Sequence, residues 1–131
     1  MILIETNIME LICNEIISLD NKIRFVGIIS ELGKVQAATI RKDIDPLVSE
    51  KDREMLFTEA SLKMRMSRDF NQQFGQVNFA IARRDKVDLL SMPLADNLLY
   101  ITADRGINFD LVDKVKKILE NANLKLNNFI C

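Results

Sequence analysis

The sequence predicts an α+β fold in which a five-stranded antiparallel sheet carries helices on both faces. Segments with helical and strand patterns follow one another as helix, two strands, helix, three strands, helix. The turns within each group of strands are short, which requires neighbouring strands to run antiparallel. Two strands, at 23–30 and 98–103, are apolar on both sides, so helices must cover both faces of the sheet.

The first part of the chain supplies one helix and one hairpin. Residues 4–19 place apolar side chains at helical spacing, and the Asp20-Asn21 pair ends this helix. The strand at 23–30 is β-branched and almost wholly apolar, so we expect it inside the sheet. After a turn containing Gly33, the strand at 35–40 is weakly apolar, as suits a sheet edge.

The longest predicted element is a helix that begins at the Ser49 cap and meets no Gly or Pro before Gly75, about seven turns later. Its apolar side chains form two stripes. We expect one stripe to pack on the sheet and the other to face a second subunit; burial of both within one domain is the alternative. The sheet-facing stripe is predicted to contain Leu62, Met66 and Phe70, and the other to contain Phe57, Ala60 and Met64.

Three strands and a helix follow. Residues 76–83 alternate cleanly, the turn at 83–86 is polar, and the strand at 87–92 is predicted to end at Pro93. The strand at 98–103 is predicted to be central. Asn108 can cap a last helix with apolar residues at helical spacing, whereas the asparagine-rich tail at 121–131 leaves its conformation open.

Composition limits the classes of function. The chain has 131 residues, the size of one domain spanning 1–131, with 48% hydrophobic and 28% charged residues and a net charge of −1. This charge argues against a nucleic-acid coat or a binder of acidic membranes. We expect no signal peptide or transmembrane helix. Cys13 and Cys131 form no disulfide framework, which suits a reducing cytoplasm.

The residues needed for common catalytic and metal sites are missing. There is no histidine, the two cysteines are distant, and no glycine-rich phosphate loop occurs among four glycines. We therefore predict no catalytic, cofactor-binding or metal-binding residues. Asp43 and Asp45, beside Pro46, are interpreted as part of a polar loop, since loops are usually solvated; a catalytic dyad or a metal site is the alternative. Without histidine or clustered cysteine, the remaining carboxylate ligands would suit only calcium or magnesium.

The order of elements resembles the roadblock family of dynein light chains, which has a profilin-like or longin-like fold. The hairpin at 27–37 is similar to the first hairpin of that family. Locally, 24–27, 31–34 and 83–87 are similar to an uncharacterised archaeal family, seen mainly in thaumarchaea, for which no activity is established. The roadblock resemblance implies the sheet order 2-1-5-4-3, dimers that scaffold or regulate small GTPases, and no catalytic residue set of its own.

In that order the strand at 76–83 lies at an edge of the sheet. It has no proline, and 77–82 carry no charge, so little prevents it from pairing with another chain. We expect a homodimer with a continuous ten-stranded sheet and the two long helices together on one face. The residues predicted at this interface are Phe57, Ala60, Met64, Gln76, Val77, Asn78, Phe79, Ala80 and Ile81.

The leading functional hypothesis is a non-enzymatic dimeric adaptor or regulator in an archaeal cytoplasm. Basic residues that either contact a partner or form ordinary solvated surface are Arg65, Arg68, Arg83, Arg84 and Lys86. The alternative is a small-molecule sensor with a ligand between sheet and helices. Small residues that would leave room for one are Gly27, Ala37, Ala38, Ala80 and Ala82. An enzyme is the weakest of the three hypotheses.

Overall fold

The computed structural model describes the backbone of residues 2–130 and the side chains of residues 7–122. The helices are α1 (Ile2–Ile17), α2 (Glu50–Ser67), α3 (Asn71–Phe74) and α4 (Phe109–Ile130), with a 3-10 turn at Arg68–Phe70. The strands are β1 (Ile23–Ile29), β2 (Val35–Ile40), β3 (Ala80–Arg83), β4 (Val87–Leu94) and β5 (Asn97–Asp104). They form one antiparallel sheet in the predicted order β2-β1-β5-β4-β3.

The core has two parts, one on each face of the sheet. On one face, α1 and α4 bury apolar side chains such as Ile16 and Val115 against Ile28 and Ile101 of the two central strands. On the other face α2 covers a smaller cluster. The prediction that β1 and β5 are central, with helices on both sides, is therefore confirmed. No helix in the described part of the chain combines the length and apolarity needed to cross a membrane.

The orientation of α2 corrects the predicted assignment of its two stripes. Phe57 is 2% exposed, and its ring lies 5.5 Å from the rings of both Phe25 and Tyr100, measured between centroids. Leu62 and Met66, predicted to face the sheet, are 47% and 60% exposed. Phe70 is exposed as well. Phe57 therefore belongs to the core of its own chain and cannot serve as a dimer contact in this packing.

Small residues explain which side of α2 packs on the sheet. Ser61, one turn after Phe57, is buried and donates its hydroxyl to the Ser30 carbonyl oxygen at 3.0 Å. Gly33, in the β1–β2 turn, has a φ of +81°, and a Cβ there would lie 2.9 Å from the Thr58 Cα. The helix backbone thus approaches the hairpin closely, which a stripe of larger side chains would prevent.

The predicted seven-turn helix is interrupted. α2 ends at Ser67, and the 3-10 turn separates it from the short α3. The Ser67 hydroxyl donates to the Met64 carbonyl oxygen at 2.7 Å, competing with the backbone for that acceptor. Such bonding of a serine hydroxyl to the preceding turn slightly destabilises a helix and often bends it, even without glycine or proline. Gly75, with a φ of +79°, then ends α3 as predicted.

Two strand boundaries also differ from prediction. β3 contains only the last four residues of the predicted 76–83 strand. Extension of the β3–β4 register would place Asn78 opposite Pro93, which has no N–H group for the ladder. Pro93, predicted to end β4, lies within it. Proline is tolerated there because β3 is too short to pair with β4 at Pro93, so no ladder hydrogen bond to β3 is lost.

The C-terminal tail, left open by the sequence, continues α4 as far as Ile130. The predicted apolar face of this helix is confirmed, since Leu111, Val112, Val115 and Leu119 are buried. Cys13 is fully buried in the core, where burial raises the pKa of its thiol to about 12. Cys131 lies outside the described residues.

Candidate functional site

A groove of about 440 Å³ lies between α2 and the β3–β4 end of the sheet. The aromatic contacts of Phe57 hold α2 over β1 and β5, so the same face of β3 and β4 is left uncovered. Five residues predicted at the dimer interface line this groove: Ala60, Met64, Val77, Ala80 and Ile81. The structure therefore brings together most of the predicted apolar interface, but without Phe57.

The other predicted interface residues lie just before β3. Gln76, Asn78 and Phe79 belong to the exposed segment between α3 and β3. Phe79 packs edge to face against Phe109 at the start of α4, with 6.1 Å between ring centroids. Because Phe109 is itself exposed, these two rings form an apolar surface near the beginning of the edge strand.

The outer edge of β3 is the second part of this candidate site. Among the described residues β3 pairs only with β4, so the ladder groups on its other side are free. Ala80, Ile81 and Ala82 carry no charge on this edge. Phe70 and Phe74, which stack with 6.2 Å between centroids, expose further apolar surface in the segment that leads to it. An unpaired edge with exposed apolar groups nearby is typical of a protein–protein contact.

On the surface of α2 that faces away from the sheet, the sequence predicts Arg65 and Arg68 as possible contacts but does not identify the apolar residues there. Met55, Leu62 and Met66 recur on that side and are all exposed. We call these three residues the apical stripe. Arg65 lies exposed beside it. The helical periodicity located these side chains, but it assigned Leu62 and Met66 to the sheet.

Arg83, predicted as a possible partner contact, is exposed, but its guanidinium is held by partners within its own chain. Its Nε and Nη2 each donate to the Asp88 carboxylate at 2.9 Å, and Nη2 also donates to the Ile107 carbonyl oxygen at 2.7 Å. Asp88 is fully buried and also accepts from the backbone N–H groups of Gly106 and Ile107. Hydrogen bonds from Arg83 hold the pKa of Asp88 well below its usual range. This cluster joins the β3–β4 hairpin to the start of α4.

The remaining basic candidates divide into two groups. Arg68 pairs with Glu31 at 2.6 Å, which ties the end of α2 to the β1–β2 turn. Arg65, Arg84 and Lys86 are exposed, and none takes part in an ion pair between described residues. These three stay candidate contacts for an acidic partner.

The described residues contain no group of three or more His, Cys, Asp or Glu side chains placed to hold a metal ion. Asp43 and Asp45 are exposed in the loop between β2 and α2, which the sequence interprets as polar. The space beside Gly27 is not open to a ligand, because a Cβ there would lie 2.8 Å from the Phe25 ring. Ala80 and Ala82 do line a cavity, namely the groove beside β3.

The sequence matches a protein family over residues 1–131. The chain belongs to DUF6659, a family of unknown function. It matches none of the curated proteins with which it was compared. Membership of this family therefore assigns no activity to the chain.

Comparison with solved structures shows which fold this chain has. A Roadblock/LC7 domain from Streptomyces avermitilis is similar with a TM-score of 0.69 and 13% identity, over 89% of this chain and 96% of that one. MglB from Myxococcus xanthus gives 0.71 and 13%, over 97% and 92%. An MglB with a tetrameric arrangement gives 0.67 and 15%, over 86% and 88%. These likenesses confirm the predicted roadblock fold.

Proposed function

We propose that residues 1–131 form a single roadblock-like domain that acts as a non-enzymatic, dimeric adaptor in an archaeal cytoplasm. The protein that it regulates or scaffolds is proposed to be a small GTPase, as the roadblock resemblance implies. The observation that carries this proposal is the free edge of β3, uncharged at residues 80–82, beside a groove lined mainly by apolar residues. A similar fold occurs in an MglB with a tetrameric arrangement, which supports self-association of this fold.

In the proposed homodimer, β3 pairs antiparallel with β3 of a second copy, and the two sheets form one sheet of ten strands. Such an interface is isologous, so each chain offers the same edge and the same groove. Ala60, Met64 and Ala80 then lie at the interface on the helix side of the sheet. Burial of the groove lining and pairing of the free ladder groups both favour this association.

The apical stripe provides a second surface that this dimer leaves free, because it points away from the sheet. Methionine side chains adapt to varied partner surfaces, and Met55 and Met66 supply two here. Arg65 adds a positive charge for complementarity with an acidic partner. We propose that the small GTPase contacts this stripe.

Affinity capture on the purified protein tests the choice of partner. Wild-type protein and the Met66→Glu variant are used as matched baits in lysate, and captured proteins are identified by mass spectrometry. We expect a protein with a GTPase fold on the wild-type bait, and at least tenfold less on the variant, because a charge would be buried at the contact. After purification, the captured GTPase should bind this protein with different affinities in its GTP-bound and GDP-bound states.

Two results would contradict the proposed partner. One is equal recovery of the GTPase on both baits, and the other is recovery that does not depend on the bound nucleotide. Lys116→Glu is a control variant, since Lys116 is an exposed residue of α4, which covers the opposite face of the sheet from α2. It should retain wild-type binding.

A further inference from the structure

A second cavity, of about 280 Å³, lies between the β2–α2 loop (41–49), the first turns of α2 and the sheet. Its volume is near the lower end of small-molecule sites, which are about 300–1,000 Å³. The loop supplies an apolar cover from Ile44, Pro46, Leu47 and Val48. The opposite wall is also apolar and includes Phe25, Ile40, Leu56, Val87 and Leu89.

The charged residues that line this cavity are all positively charged. Three arginines line it, and none of the described residues that line it carries a carboxylate. Arg24 is already satisfied, since its Nη1 contacts the Asp104 carboxylate at 3.0 Å and its Nη2 donates to the Asp45 carbonyl oxygen at 2.8 Å. Arg24 therefore serves to hold the loop over the cavity.

The other two arginines, Arg53 and Arg84, are in no ion pair with a described residue. The Arg53 guanidinium carbon lies 5.4 Å from the centroid of the Phe25 ring, so a cation–π contact keeps this group at the cavity wall. Two guanidinium groups beside apolar surface favour a carboxylate, because their planar donors match its two oxygens.

Two hydroxyl groups, from Tyr100 and Thr102, also line the cavity. Burial raises the pKa of Tyr100 to about 12, so its hydroxyl stays protonated at neutral pH and can donate. Tyr100 is the only tyrosine in the sequence, which also lacks tryptophan. It also lines the groove beside β3, so a change in its fluorescence reports binding at either place. Arg53 lines this cavity and not the groove, so a variant at Arg53 tells the two places apart.

We propose that this cavity binds an amphipathic monocarboxylate, such as a medium-chain fatty acid. The carboxylate lies between Arg53 and Arg84, and the alkyl chain lies under the loop among the apolar residues. Every lining residue belongs to one chain, so binding does not rest on the proposed dimer. The proposal thus names the chemical class of ligand for the alternative hypothesis, in which the protein is a small-molecule sensor.

Tyrosine fluorescence titrations of the wild-type protein test the chemical class of the ligand. The three probes are octanoate, 1-octanol, which has the same chain without charge, and acetate, which has the charge without the chain. We expect saturable binding of octanoate, binding of octanol weaker by roughly tenfold, and no response to acetate, because charge-assisted hydrogen bonds and burial of the alkyl chain both contribute to affinity. Equal affinities for octanoate and octanol would overturn the proposal.

Variants then locate the carboxylate. Arg53→Met and Arg84→Met should each weaken octanoate binding roughly tenfold, whereas Arg105→Met, in the exposed turn after β5, should not. Circular dichroism and light scattering confirm that each variant keeps its fold and its mass. Octanoate binding that Arg53→Met leaves unchanged would refute the assignment, because Arg84 also lines the groove beside β3 and Arg53 does not. A response to anionic phosphatidylglycerol vesicles, with none to octanoate, would also refute it and would indicate a lipid surface.

Discussion

At the scale of single residues, Asp88 is the most constrained charge in the described part of the chain. Its carboxylate is fully buried and accepts four hydrogen bonds, two from Arg83 and one each from the backbone N–H groups of Gly106 and Ile107. A buried charge is tolerated when its acceptors are satisfied in this way. The Arg83–Asp88 pair therefore stabilises the fold. Loss of the carboxylate would leave the Arg83 guanidinium and the backbone N–H groups of Gly106 and Ile107 without this acceptor.

We predict that Asp88→Asn lowers the free energy of unfolding by about 3 kcal/mol, since an amide cannot accept at both positions. Asp85→Asn, in the exposed turn nearby, should change it by less than about 0.5 kcal/mol. Urea denaturation followed by circular dichroism measures both. Equal midpoints for the two variants would contradict the role assigned to Asp88.

The pH dependence of the same variant gives an independent check. The pKa of Asp88 is lowered in the folded state, so its contribution to stability is present above the unfolded value of about 3.9 and is lost as pH falls below it. The stability difference between wild type and Asp88→Asn should therefore be constant near neutral pH and narrow below about pH 4. If the difference in free energy of unfolding between wild type and Asp88→Asn grew as the pH fell, the predicted direction of the pH dependence would be wrong.

At the scale of elements, α2 shows what periodicity can and cannot predict. The 3.6-residue pattern located both of its apolar stripes, but both are apolar enough to pack on a sheet. The choice depends on small residues at contacts distant in sequence, such as Ser61 against Ser30 and Thr58 against Gly33. These pairings exist only once the hairpin and the helix are folded together, so the sequence pattern alone does not reveal them.

The corrected orientation of α2 makes a direct prediction about stability. Phe57→Ala should lower the free energy of unfolding by about 3–5 kcal/mol, because it empties the space between Phe25 and Tyr100. Leu62→Ala, on the exposed side, should cost less than about 1 kcal/mol in the folded monomer. Urea denaturation at a concentration where both variants are monomeric makes the comparison. The reverse ranking would restore the original stripe assignment.

At the scale of the whole molecule, the element order and the two central strands were predictable from the chain. Strands that are apolar on both sides, such as β1 and β5, must lie inside the sheet, where helices cover both faces. The cavity under the 41–49 loop was not predictable. It depends on where Arg24 holds that loop, through Asp45 and Asp104, which lie far apart in sequence.

The sheet has two edges, and either one offers free ladder groups to a second chain. Register pairs join Ala38, Gly27, Tyr100, Ser91 and Ala80 into one row that crosses all five strands. Ala38 on β2 and Ala80 on β3 are thus exposed residues of one type at opposite ends of a single row. Only the Ala80 end adjoins the groove, and this is why we assign the dimer contact to β3.

The molar mass in solution, measured by light scattering after size exclusion, tests this assignment most directly. Wild-type protein at high micromolar concentration should have about twice the 15.0 kDa mass of one chain. Ala80→Glu should be a folded monomer, because it places a charge in the interface, whereas Ala38→Glu should keep the wild-type mass. A monomeric wild type, or a dimer that Ala38→Glu dissociates and Ala80→Glu does not, would contradict it.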